Sequence, residues 1–192
     1  MLRNAKRFIY AAVRAHNKRV TLHSMNTDFL KIEKETELEF QTVADRLLND
    51  CAIENHESIY RLTEIEFYWT SPNHNDDSTY KRNHVDPKNG DWFFHYSGVD
   101  IALKNEAIGG YGGILIRSIY SLKENKIYKG PMVCAMKLFS GTSAFSESIK
   151  TKIIEYSFDK KKIEKQHRVG LGENAIKSGT DKLNYSFYIN LK

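Results

Sequence analysis

The chain has 192 residues, 41% of them hydrophobic and 12% aromatic, and its 29 basic and 24 acidic residues leave a net charge of +5. That length fits one domain able to bury a core without disulfides or metals. No run approaches the roughly 18 apolar residues of a membrane span, and no secretory signal is evident, so a soluble cytoplasmic protein is the expectation. Cys51 and Cys134 lie far apart, each beside apolar residues, and read as two buried thiols in a reducing compartment rather than as a disulfide. The positive charge is confined to one end. Residues 1–24 carry Arg3, Lys6, Arg7, Arg14, Lys18 and Arg19 and no acid, which leaves 23 basic against 24 acidic residues in the rest. The body is therefore near neutral, and global charge does not argue for nucleic-acid binding.

In residues 1–24, Ala5, Phe8, Ile9, Ala12 and Val13 follow helical apolar spacing opposite the basic side chains. Three readings stand side by side: a phosphate-contacting arm, a targeting segment, or translation starting at Met25 so that residues 25–192 form the working domain. The first element of that domain is a helix over 37–49. A Thr36/Glu39 capping box opens it, and Phe40, Val43, Ala44, Leu47 and Leu48 form its apolar face.

A long strand follows over 59–69, rich in β-branched and aromatic residues. Strict alternation places Tyr60, Leu62, Glu64, Glu66 and Tyr68 on one face and Ile59, Arg61, Thr63, Ile65, Phe67 and Trp69 on the other. Both faces are apolar enough to be covered, so at least one glutamate is shielded and needs either a partner or a chemical role. Arg61 and Arg117 are the candidate partners of Glu64.

Residues 70–91 are polar and read as loop. A hairpin pairs Trp92–Tyr96 with Val99–Leu103 across Ser97-Gly98, and alternation lets either Trp92, Phe94 and Tyr96, or Phe93 and His95, face a pocket. Four glycines between 109 and 113 lead into the strand Ile114–Tyr120. Gly130-Pro131 opens a helix predicted to bury Val133, Met136 and Leu138 or Phe139. The run Lys160, Lys161, Lys162, Lys165 reads either as a solvated face or as a phosphate-contacting patch. A loop after Arg168-Val169-Gly170-Leu171-Gly172 and a strand over 184–191 close the chain. Strands and helices alternate without a βαβ rhythm, which predicts a single α+β domain with a curved, largely antiparallel β-sheet and flanking helices.

Distant segments taken together resemble, in order, the alkyladenine (3-methyladenine) DNA glycosylase family over about residues 40–190. Val43-Ala44-Asp45-Arg46-Leu47-Leu48 is similar to the family's L-A-x-x-L-L helix, and Glu64-Ile65-Glu66-Phe67-Tyr68 to its E-T-E-A-Y strand. Trp92-Phe93-Phe94-His95-Tyr96-Ser97-Gly98 is similar to its Y-V-Y-x-x-Y-G hairpin, and Ile114-Leu115-Ile116-Arg117-Ser118 to V-L-I-R-A. Gly130-Pro131, Arg168-Val169-Gly170-Leu171-Gly172 and Ser186-Phe187-Tyr188-Ile189 follow in the family's order.

The resemblance implies excision of alkylated or deaminated purines from DNA by base flipping, by a monomer working without metal or cofactor. By position it makes Glu66 the carboxylate that activates water and Arg117 its companion. Tyr68 and Phe94 become the rings on either side of the flipped base, with His74 and Tyr96 as further base contacts. The chain departs from the family at Ser97, where the family's wedge tyrosine stands, at His74, which lies closer to Tyr68, and at Lys104 or Asn105, neither a clean match to a base-side asparagine. Those departures keep open a second expectation, a protein of the same fold that binds nucleotides or single strands without hydrolysis. His74, Asp76, Asp77, His84, Asp86 and His95 are metal-ligand types within 22 residues, but none of their spacings is that of a strong metal motif.

Overall fold

In the computed structural model, which describes residues 25–56, 58–79, 82, 87–141, 145 and 150–191, the first helix begins where the capping box places it. Helix α1 (Glu37–Asn49) is capped by Thr36, whose Oγ1 accepts the Glu39 N–H at 3.2 Å. The Glu39 carboxylate does not close back on Thr36. It accepts the backbone N–H groups of Glu33, Lys34 and Glu35 at 2.8–2.9 Å, folding the preceding loop over the helix start. The helix buries Phe40, Val43, Ala44, Leu47 and Leu48, the predicted face. The basic segment 1–24, His84 and Asp86 lie outside the described residues.

Strand β1 (Cys51–Asn55), absent from the sequence reading, leaves α1 almost directly and pairs with β2 (Ser58–Thr70). Then come β3 (Trp92–His95), β4 (Gly98–Asn105), β5 (Gly110–Ser121) and β6 (Lys126–Lys129), helix α2 (Pro131–Leu138), β7 (Lys152–Glu155), β8 (Glu164–Gln166), helix α3 (Glu173–Ser178) and β9 (Ser186–Tyr188). Among the described residues these strands form one sheet in the order β3-β4-β5-β2-β1-β7, with β6 on β5 and β9 between β2 and β8. Every pairing is antiparallel, and the sheet curves into a half-barrel, so the domain is α+β as expected. No helix among the described residues is long and apolar enough to cross a membrane.

One face of the sheet carries the core. Leu62, Ile65, Phe67, Trp69, Ile101, Ile114, Ile116 and Phe187 pack there against α1 and against Cys134 and Leu138 of α2. The predicted face of α2 is corrected. Val133 and Met136 are exposed, and Cys134, Ala135 and Leu138 point inward, because an eight-residue helix starting at Pro131 is oriented by the strands beneath it. Both cysteines are free and buried, and burial pushes each thiol up to about 12.

The predicted alternation along β2 is also corrected. Leu62 pairs with Ile119 and Ile65 with Ile116, with an irregular register between them at Glu64 and Ser118. Two residues on each strand, rather than one, lie between these inward-facing pairs, so the alternation changes phase once. Tyr60 and Leu62 therefore join the core with Ile65, Phe67 and Trp69, while Glu66 and Tyr68 are directed to the other face. Such irregularities re-aim side chains where a regular ladder would not.

Of the glycines before Ile114, Gly110, Gly112 and Gly113 belong to β5 itself and let it approach its neighbours closely. A Cβ on Gly112 would sit 1.9 Å from the Tyr68 carbonyl oxygen, and one on Gly113 would sit 2.5 Å from Asp100 Oδ2. Gly112→Ala is therefore expected to lower stability by about 1–3 kcal/mol through overpacking. Urea unfolding checks this, and an unchanged midpoint would show that β2 and β5 separate more easily than their register implies.

Candidate active site

The polar face of the sheet is covered by the loop after β2 and by the segment running from Arg168 into α3. Between them lies a cavity of about 400 Å³ lined by Tyr68, Arg82, His95, Tyr96, Ser97, Leu115, Arg117 and residues 169–175. That is within the size range of small-molecule sites.

Glu66 does not itself line the cavity; it lies fully buried behind three residues that do, Tyr68, Arg117 and Val169. Its Oε2 accepts the Tyr68 hydroxyl at 2.9 Å and lies 3.5 Å from Arg117 Nη1, and its Oε1 accepts a long bond, 3.4 Å, from the Val169 N–H. Burial raises its pKa above the ordinary carboxylate range, and Arg117, Tyr68 and Val169 pull against that shift without cancelling it. Arg117 is placed by β5, two residues from Leu115, which pairs with Glu66. Its Nε is buried without a hydrogen bond, 3.9 Å from Glu64 Oε1. Glu64 is thus paired loosely with Arg117. Arg61 plays no part in that pair and binds the Leu48 carbonyl and Asn49 instead. The arrangement offers a shielded carboxylate with raised proton affinity, beside a guanidinium with donor capacity to spare. Those are the elements of general-base activation of a water molecule.

Tyr68 is buried, and burial with the neighbouring Glu66 pushes its phenol well above the ordinary range. Two guanidiniums flank its ring. Arg82, which lines the cavity, lies 3.4 Å from the ring centroid, and the fully buried Arg168 lies 4.7 Å away. Arg82 is held by Asp100 (Nε to Oδ2, 2.8 Å) and by the Ser78 carbonyl (Nη1, 3.0 Å). Asp100, fully buried on β4, also meets His95 Nε2 at 2.9 Å, and His95 Nδ1 lies 2.9 Å from Ser97 Oγ. With Nε2–H donated to Asp100, Nδ1 is the acceptor for the Ser97 hydroxyl, which ties down the hairpin tip.

Of the predicted site residues, Arg117, Tyr68 and Tyr96 line the cavity, Tyr96 largely exposed, and Glu66 is buried behind Arg117 and Tyr68. Phe94 does not line it. The hairpin turns at Tyr96-Ser97, one residue earlier than predicted. Phe93 pairs with Asp100, Asp100 with Leu115 and Leu115 with Glu66, so Phe93 and His95 share the Glu66 face while Phe94, opposite Val99, packs edge-on against Phe139 at 4.7 Å on the other side. His74 is likewise displaced to the core side, stacked on Tyr185 with its Nε2 3.2 Å from the Tyr185 hydroxyl and edge-on to Phe40. Burial lowers its pKa, although Asp76 and Glu35 draw it the other way.

The metal-ligand types of this region do not converge. Asp76 binds Arg168, His95 binds Asp100 and His74 meets Tyr185, and no group of three forms among the described residues. The basic run is partly neutralised, with Lys160 on Asp50 and Lys165 on Glu37. The sequence reading missed Arg82, Asp100 and the Val169 N–H. Asp100 had left a signal, as the one acid within the apolar strand Val99–Leu103.

No family model matches the chain, and no solved structure does. The chain is similar to the uncharacterized protein L759 of Acanthamoeba polyphaga mimivirus, at 32% identity over 124 residues. The match covers 52% of this chain and 56% of that protein, so the chain spans about half the length of the curated relative it resembles.

Proposed function

We propose that this protein is an N-glycosylase that removes an altered purine from DNA by base flipping and attack of water on the glycosidic bond, without metal or cofactor. The observation that carries the reading is Glu66, fully buried directly behind the cavity wall, bonded to the lining Tyr68 and with the lining Arg117 3.5 Å from its carboxylate. In this reaction Glu66 takes a proton from water as the oxygen bonds the anomeric carbon. The glycosidic bond breaks, and its electron pair leaves with the purine nitrogen, which takes up a proton where the base is uncharged. Arg117 holds the attacking oxygen and favours the ionised form of Glu66, against burial. Tyr68 fixes the carboxylate rotamer through its hydroxyl. No lysine lines the cavity among the described residues, which favours water over an amine as nucleophile.

A second reading, a binding module for nucleotides or single strands, is favoured by one feature. Ser97 at the hairpin tip is too small to fill the gap left by a flipped base, so opening a duplex loses that compensation, a matter of a few kcal/mol per unstacked step. Tyr96, 75% exposed beside it, is the side chain placed to take that role.

The test is release of hypoxanthine, ethenoadenine or methylated purines from duplex and single-stranded oligonucleotides. Release that depends on Glu66 supports the glycosylase. Binding without release from any substrate transfers the site to the second reading.

A further inference from the structure

We infer that Arg82, and not the Tyr68 ring, forms the stacking wall of this cavity, so that the site selects uncharged bases over cationic N-alkylated ones. The inference rests on the base-binding reading of the cavity. The Arg82 guanidinium carbon lies at stacking distance, 3.4 Å, over the Tyr68 ring centroid, and both residues line the cavity, Arg82 covering one face of the ring. It is fixed there by the buried Asp100 carboxylate and by the Ser78 carbonyl, and its side chain is only 10% exposed. A base entering the cavity therefore meets a guanidinium plane, a surface on which nucleobases stack well.

The charge of that plane discriminates. Asp100 and Ser78 engage the edge of the guanidinium through its nitrogens, so a stacked base faces the positive plane directly, with the compensating carboxylate further off. An uncharged purine is polarised favourably, whereas a purine carrying a positive ring is repelled at short range. A bare phenol ring would reverse the preference, since its negative face attracts cations.

Equilibrium binding of two nucleosides tests the inference without requiring catalysis: inosine, uncharged, and 1-methyladenosine, cationic at neutral pH. The wild-type protein is expected to bind inosine about tenfold or more tightly over 1-methyladenosine, a difference of about 1.4 kcal/mol. Arg82→Gln keeps a planar group and removes the charge, and the ratio is expected to fall to about one. Arg82→Lys keeps the charge and the Asp100 pair without the plane. It should weaken both ligands while retaining the preference, and it serves if Arg82→Gln unfolds. Equal binding of the two nucleosides by the wild type, failure of both to bind, or a ratio unmoved in Arg82→Gln overturns the inference. Absence of base release from every oligonucleotide would remove the glycosylase reading and leave this measurement intact.

Discussion

Glu66→Gln is expected to slow base release by about 10³-fold, a general-base contribution, while leaving nucleic-acid affinity and fold in place. The amide is isosteric, and its oxygen can still accept the Tyr68 hydroxyl that Glu66 Oε2 accepts at 2.9 Å. It cannot take a proton from water. The pH profile gives the sharper signature. The working form of Glu66 is the carboxylate, and its pKa is raised by burial. Activity should therefore rise with pH through that raised value and be lost below it, and this limb should vanish in the variant.

Stability runs the opposite way. A folded-state pKa above the unfolded one means that the folded protein holds the extra proton between the two values. The stabilisation is complete below the unfolded pKa and is lost as pH rises through the folded one. Above the folded value the wild type bears the cost of a buried carboxylate, so Glu66→Gln should be equally or more stable there, with a flatter dependence on pH. Urea unfolding across a pH series and single-turnover base release measure both. Release at the wild-type rate by Glu66→Gln would remove the carboxylate from the mechanism.

Glu66 was legible in the sequence because an acid inside an apolar strand is a local anomaly. Its surroundings were legible only where they too were local. The Thr36 cap and the apolar stripe of α1 depend on residues within one helix, and the structure reproduces both. The direction in which Glu66 faces depends on the irregular register at Glu64 and Ser118, a property of two strands meeting, which simple alternation along β2 cannot contain. Phe94 lies on the face away from Glu66 because Phe93, not Phe94, is joined to Glu66 through the pairings with Asp100 and Leu115, a property of four strands that no single strand's pattern contains. Arg82 and Asp100 are 18 residues apart across a polar loop, and no spacing rule joins them until the fold brings them to 2.8 Å. Strand β1 escaped because Cys51–Asn55 is only five residues long and does not alternate clearly between apolar and polar positions.

Arg168→Ala and Asp76→Ala are each expected to cost about 3–5 kcal/mol of stability, because either leaves a buried charge without its partner. Both side chains have no exposure, and the contact is two-pronged, 2.5 Å from Nη1 and 3.0 Å from Nη2. Arg168 also donates to the carbonyls of Phe67 and Thr180 at 3.0 Å. One guanidinium thus ties β2 to the loop that follows it and to the segment after α3. A loss of that size is a large share of the total stability of a domain, about 5–15 kcal/mol.

The pair also bears on the site. Val169, whose N–H reaches Glu66, is the next residue, and the Arg168 guanidinium backs the Tyr68 ring at 4.7 Å. Replacing both members, Asp76→Leu with Arg168→Met, removes the desolvated charges together and should recover much of the lost stability. It should not recover base release, since the anchors that set Val169 and Tyr68 against Glu66 are gone. Urea unfolding of Asp76→Leu, Arg168→Met and the double variant closes the cycle. A single-variant loss below about 1 kcal/mol, the range of an exposed ion pair, would mean that water reaches the pair and that the segment carrying Val169 is held by something else.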